Sequence, residues 1–192
     1  MLMEVTGNYA RALELYSEGL GVATAIGDRW FTAVFLTMVN GLPAITLGKV
    51  KPEHAYEGLK NAIADWRQIG DPRFIAFGLR ILSQSAFTLG RYDEAHAALE
   101  ESTALNSSLG DRWGLGAAYR GLGLVAQAQG KHQQALVMFR KGLGTFTELG
   151  GSWWVARVLA EMGESILALE DEAEAGRVWR ESLRIATDIH GT

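Results

Sequence analysis

Four histidines, His54, His96, His132 and His190, are the side chains best suited to hold a metal or move a proton near neutral pH. None stands three or four residues from another, the spacing that puts two imidazoles on one helix face, so no metal centre is expected. Cysteine is absent, which removes thiolate chemistry and disulfides. Gly114, Gly116, Gly121 and Gly123 match neither the dinucleotide nor the P-loop spacing; they sit in a helical pattern and read as helix contact points. No nucleophile is paired with a base, and no carboxylate dyad stands out. The expectation is a non-enzyme without a cofactor.

Guanidinium and indole groups are the remaining chemistry. Arg80 and Arg120 lie 40 residues apart. If 40 residues is a structural period, two guanidiniums sit side by side and can hold a carboxylate or phosphate by bidentate bonds. The other reading is that each is solvated or paired with a nearby carboxylate. Trp30, Trp113 and Trp153 recur in the same register, with Trp154 beside the last. They either pack against a neighbouring unit or form an aromatic ledge assisted by Arg29 and Arg112 through cation–π contact.

The period is real. Gly27-Asp28-Arg29-Trp30, Gly70-Asp71-Pro72-Arg73, Gly110-Asp111-Arg112-Trp113 and Gly150-Gly151-Ser152-Trp153 recur at steps of 43, 40 and 40 residues. A second series runs out of phase: Gly7, Gly48, Gly90, Gly130 and then Glu170. Two turns per period leave two helices of about 18 residues, too few to bury an apolar face alone, so the units must stack. In the second helices an alanine recurs at Ala12, Ala55, Ala95, Ala135 and Ala175. Four residues on stand Tyr16, Leu59, Leu99, Phe139 and Trp179, one turn along the same face. The first helices carry a mostly small slot at Asn40, Ser83, Gly123 and Gly163. Gly27, Gly70, Gly110 and Gly150 suit the left-handed position that ends a helix, and Asp28, Asp71 and Asp111 can cap the next. Pro72, and by the same logic Pro52, fall where a helix tolerates proline.

Three departures stand out. Repeat 28–70 has three extra residues and places Asn40-Gly41-Leu42-Pro43 inside its first helix, so a kink or bulge is expected near residues 39–43. The chain opens on a second helix, residues 8–27, whose first-helix partner is missing, which reads as a fragment of a longer array. Residues 170–188 are highly charged, which alternatively reads as a cap with a polar outer face.

Together these residues resemble the tetratricopeptide repeat in its longer form of about 40 residues. Leu122-Gly123, Gly130, Ala135 and Phe139 carry the likeness best. The Gly-Asp-Arg-Trp turns and alanine-rich helices are also similar to the repeat arrays of bacterial LuxR-type and MalT-like regulators. The resemblance implies an all-α, right-handed solenoid of stacked antiparallel helix pairs with about nine helices. It would form one domain, 1–192, divided into 8–27 and repeats 28–70, 71–110, 111–150 and 151–190. Such proteins bind peptides, proteins or small effectors and seldom catalyse. Carried over by position, the concave face would present Phe77, Arg80, Gln84 and Phe87, then Arg120, Leu124 and Gln127, then Arg157, Glu161 and Glu164. The expected role is an interaction or effector-sensing domain of a larger transcriptional regulator; the alternative is self-association into dimers or end-to-end assemblies.

The bulk properties agree. The net charge of −4 offers no general attraction to nucleic acid. No apolar run approaches the roughly 20 residues of a membrane span. Met1-Leu2-Met3-Glu4-Val5-Thr6 lacks a basic n-region, so no secretory signal is expected and the cytoplasm is the expected compartment.

Overall fold

A computed structural model describes residues 9–41 and 50–190. Among the described residues there are nine α-helices and no strand: α1 (Tyr9–Ala25), α2 (Arg29–Val39), α3 (Pro52–Ile69), α4 (Pro72–Thr88), α5 (Tyr92–Leu109), α6 (Arg112–Ala128), α7 (His132–Glu148), α8 (Ser152–Leu167) and α9 (Glu172–His190). The chain is an all-α helical-repeat protein of the solenoid class, as the period predicts.

The turns follow from their residues. Gly27, Gly70, Gly110 and Gly150 have φ between 67° and 78°, the left-handed region in which a side chain is penalised. The next residue starts the following helix. Asp28 accepts a hydrogen bond from the Phe31 N–H at 3.0 Å, Asp71 from Arg73 at 3.1 Å and Phe74 at 3.3 Å, and Asp111 from Gly114 at 2.9 Å. Pro72 and Pro52 each open their helix. Gly90 and Gly130 turn the chain within repeats at φ 72°. Glu170 takes the equivalent place at φ 66°, a non-glycine residue held in the left-handed region. Asp171 beside it caps α9 by accepting from Glu174 N–H at 3.0 Å.

One local expectation needs correction. Asn40 is not inside a helix, because α2 ends at Val39. The Asn40 side-chain Nδ2 donates to the Leu36 carbonyl at 2.9 Å, and Gly41 N–H closes back on Met38 O at 3.2 Å. The helix tightens into a final short turn and stops before the proline. Leu42 and Pro43, and with them the rest of the expected kink, lie outside the described residues, as do Gly7 and Gly48.

The chain divides into two compact units, with the boundary between Ala98 and Leu99 inside α5. In the first, α2 packs on α1 and α3, and α3 packs on α4. Its centre is Trp66, fully buried, whose indole N–H donates to Thr37 Oγ1 at 3.2 Å. In the second, α7 packs on α6 and α8, and α8 on α9, around Ala135, Leu136, Phe139, Phe146, Val158 and Met162.

The slots behave as expected. Ala12, Ala55, Ala95, Ala135 and Ala175 are all buried, at 0–3% exposure. A Cβ added to Gly123 would lie 2.5 Å from the Phe139 ring, and one on Gly163 would lie 2.1 Å from the Trp179 indole nitrogen. The large side chain of one helix therefore rests on the bare backbone of its partner. Trp179 remains 37% exposed but anchors its N–H on Ala160 O at 3.0 Å.

Candidate functional site

The residues expected on the concave face come from α4, α6 and α8. In the first unit, α4 carries Phe77, Arg80, Gln84 and Phe87, all half-buried. The Arg80 guanidinium lies over the Phe77 ring, 5.0 Å from its centroid. Phe87 meets Tyr92 edge-on at 5.5 Å.

The second unit builds a denser arrangement. Arg120 on α6 faces Glu161 on α8 and binds it through two hydrogen bonds, Nε to Oε2 at 2.7 Å and Nη2 to Oε1. Their side chains are only 13% and 16% exposed, so the pair is shielded from water and salt. Gln127, two turns along α6, donates to the Glu161 backbone carbonyl at 3.0 Å and to the fully buried Ser165 Oγ at 2.9 Å. Arg157 reaches Glu161 from one turn away at 3.3 Å and lies over Trp153, 5.3 Å from the ring centroid. Leu124 is half-buried beside this network and Glu164 is exposed.

This geometry chooses between the two readings of Arg120: its guanidinium pairs with a carboxylate. Glu161 holds it in the bidentate manner an anionic ligand would need. Arg157 instead presents a half-exposed guanidinium braced on an indole. The Glu161 partnership was not read from sequence. Its signal was an acid 41 residues after a base, one step off the repeat period.

Trp30 and Trp113 pack against aromatic side chains of neighbouring helices. Trp30 packs edge-on against Trp66 at 5.7 Å and Phe74 at 5.0 Å, and Trp113 packs against Trp154 at 5.6 Å. Yet Trp30, Trp113 and Trp153 stay 37%, 41% and 48% exposed. Their expected cationic helpers are engaged elsewhere: Arg29 donates to Gln68 Oε1 at 2.8 Å and Arg112 pairs with Glu148. Arg157 over Trp153 and Arg120 over Trp154 supply the cation–π contacts instead. Among the described residues no three His, Cys, Asp or Glu side chains converge on a metal position, and no helix is long and apolar enough to cross a membrane.

Comparison with known proteins places this geometry. The family model for the tetratricopeptide repeat matches residues 74–148, from α4 through α7. No curated protein sequence matches the chain closely enough to count as a relative. Solved structures match at low identity. BtubC (BKLC) from P. vanneervenii is 17% identical with a TM-score of 0.78, covering 100% of this chain and 78% of its own. PlcR of Bacillus thuringiensis, solved with the peptide PapR7 and DNA, is 13% identical with a TM-score of 0.78, covering 98% and 71%. A STAND signal-transduction ATPase from Pyrococcus horikoshii, described with a tetratricopeptide repeat sensor, is 16% identical with a TM-score of 0.75, covering 96% of this chain and 28% of its own. Residues 74–148 therefore carry tetratricopeptide repeats, and the chain has the helical-repeat fold of tetratricopeptide proteins.

Proposed function

We propose that the chain is a non-catalytic peptide- or protein-binding module that serves as the sensing arm of a larger bacterial regulator in the cytoplasm. One observation carries the binding reading. Each unit holds a guanidinium over an aromatic ring on a first helix, Arg80 over Phe77 and Arg157 over Trp153. A guanidinium braced this way is held in one orientation and loses little rotamer freedom on meeting a carboxylate. Gln84 and Phe87 share α4 with Arg80; Glu164 shares α8 with Arg157, and Leu124 and Gln127 come from α6 in the same unit. A peptide with an acidic end is the ligand class that fits. The regulator reading draws on two proteins of similar fold, PlcR, solved with peptide and DNA, and the STAND ATPase with its repeat sensor.

Arg120 is assigned a supporting role, because reversing its charge would break the pair with Glu161 and unsettle α8. The test therefore uses Arg80→Glu with Arg157→Glu. A display library of heptapeptides is selected on the wild-type chain. Enrichment of acidic-ended peptides that the double variant loses supports the assignment. No enrichment, or enrichment that survives in the variant, refutes it.

Self-association is the second reading. Val22 and Ile26, at the end of α1, are 62% and 72% exposed, and Leu183 on α9 is 65% exposed, large apolar groups left in water. Light scattering decides it: a strict monomer at high concentration removes it.

A further inference from the structure

Three junctions between successive repeats can be compared slot for slot. Five residues before the capping positions 71, 111 and 151 stand Trp66, Asn106 and Phe146; three residues after them stand Phe74, Gly114 and Trp154. At the first junction Trp66 stacks on Phe74, with centroids 4.4 Å apart and planes at 21°. At the third Phe146 stacks on Trp154, at 5.4 Å and 17°. Trp66 and Phe146 are fully buried, and each stack is closed by a further indole edge, Trp30 or Trp113.

The middle junction has no such stack. Asn106 is 4% exposed and donates from Nδ2 to Ser102 Oγ at 3.2 Å. It lies directly on the Gly114 backbone, where an added Cβ would fall 2.5 Å from Asn106 Oδ1. A buried aromatic side chain removes roughly 150–250 Å² from water and gains further from stacking. An amide on a glycine does neither. The capping bonds are equivalent at Asp71 and Asp111, so the difference lies in the side chains that cover the turn.

We propose that the Asn106–Gly114 junction is a built-in weak joint, which opens locally while the aromatic locks at 66–74 and 146–154 stay closed. Linear repeat arrays ordinarily fray from their ends, where a unit has one neighbour, and are best protected in the middle. This joint inverts that order. The Ala23–Phe31 junction also lacks a stack and is left out of the comparison.

Native-state hydrogen exchange on the full chain tests the proposal. Amides of residues 102–109 and 115–118 are expected to be protected about tenfold less than those of 62–69 and 75–78, and of 142–149 and 155–158, a factor within the usual range of aromatic stacking. Equal or greater protection at the middle junction overturns it. Asn106→Trp with Gly114→Phe transplants the Trp66–Phe74 pair. Protection there should then rise to that of the flanking junctions, and a natively helical variant in which it stays low refutes the missing stack as the cause. The wild-type comparison decides even where the double variant fails to fold.

Discussion

Replacing Gly123 by alanine tests the packing rule on which the fold rests. In an exposed helix, glycine to alanine raises stability by about 1 kcal/mol, because the backbone loses less freedom on folding. Gly144, in α7, has nothing within 4 Å of an added Cβ, so Gly144→Ala should show that gain in full. Gly123, in α6, has the same helical advantage but faces Phe139, whose ring atoms would lie 2.5, 2.6 and 3.0 Å from the new carbon. Phe139 is fully buried and has no room to withdraw. Overpacking of this kind costs about 1–3 kcal/mol. The two alanine variants should therefore differ by about 2 kcal/mol, or roughly 4–8 °C in thermal midpoint for a chain of this size. Circular dichroism melts of wild type and both variants measure it. Gly163→Ala should fall between them, because Trp179 is part-exposed and can swing aside at the loss of its hydrogen bond to Ala160. Equal stabilisation at 123 and 144 would refute the reasoning, since Phe139 could not then be seated on bare backbone.

Other expectations follow from single features. Glu170 sits at φ 66°, where a side chain costs about 1–2 kcal/mol, partly offset by the extra unfolded-state freedom of glycine; Glu170→Gly should stabilise by roughly 0.5–1 kcal/mol, read as a higher urea midpoint. Arg120→Met strands the shielded Glu161 carboxylate and should destabilise by roughly 1.5–3 kcal/mol, whereas Arg120→Met with Glu161→Met should recover much of the loss; simple addition of two losses would count against the pair. Tyr56 is raised above its ordinary value of about 10, by burial first and then by its hydrogen bond to Glu94. A raised folded value means the contribution is whole below about pH 10 and falls away as pH rises beyond it. Tyr56→Phe should flatten that alkaline loss in melts taken between roughly pH 8 and 11.5, and an unchanged slope would contradict it.

Much of the architecture is readable without coordinates because its rules are local. A glycine that must adopt positive φ, an aspartate that can reach the next helix's free N–H groups and a small residue one turn from a large one each declare themselves within a few positions. Repeated at a 40-residue period, they mark the turns, the helices and the five buried alanines. The end of α2 is equally local: the backbone N–H and the side-chain Nδ2 of Asn40 both donate to the Leu36 carbonyl, and the helix ends at Val39.

The chain itself determines a stack of helical hairpins, since no hairpin buries its own apolar face. Only the tertiary structure decides which charges meet. Arg120 and Glu161 are 41 residues apart, and Glu164, three residues further on, is a carboxylate that sequence spacing ranks no lower. The outcome depends on which rotamers the packing of α6 on α8 leaves open. The tryptophans follow the same logic: their register is written in the period, but how much of each indole stays in water is set by the neighbours that reach it. Local rules place a side chain on a face, and its partner is chosen by helices brought together from elsewhere in the chain.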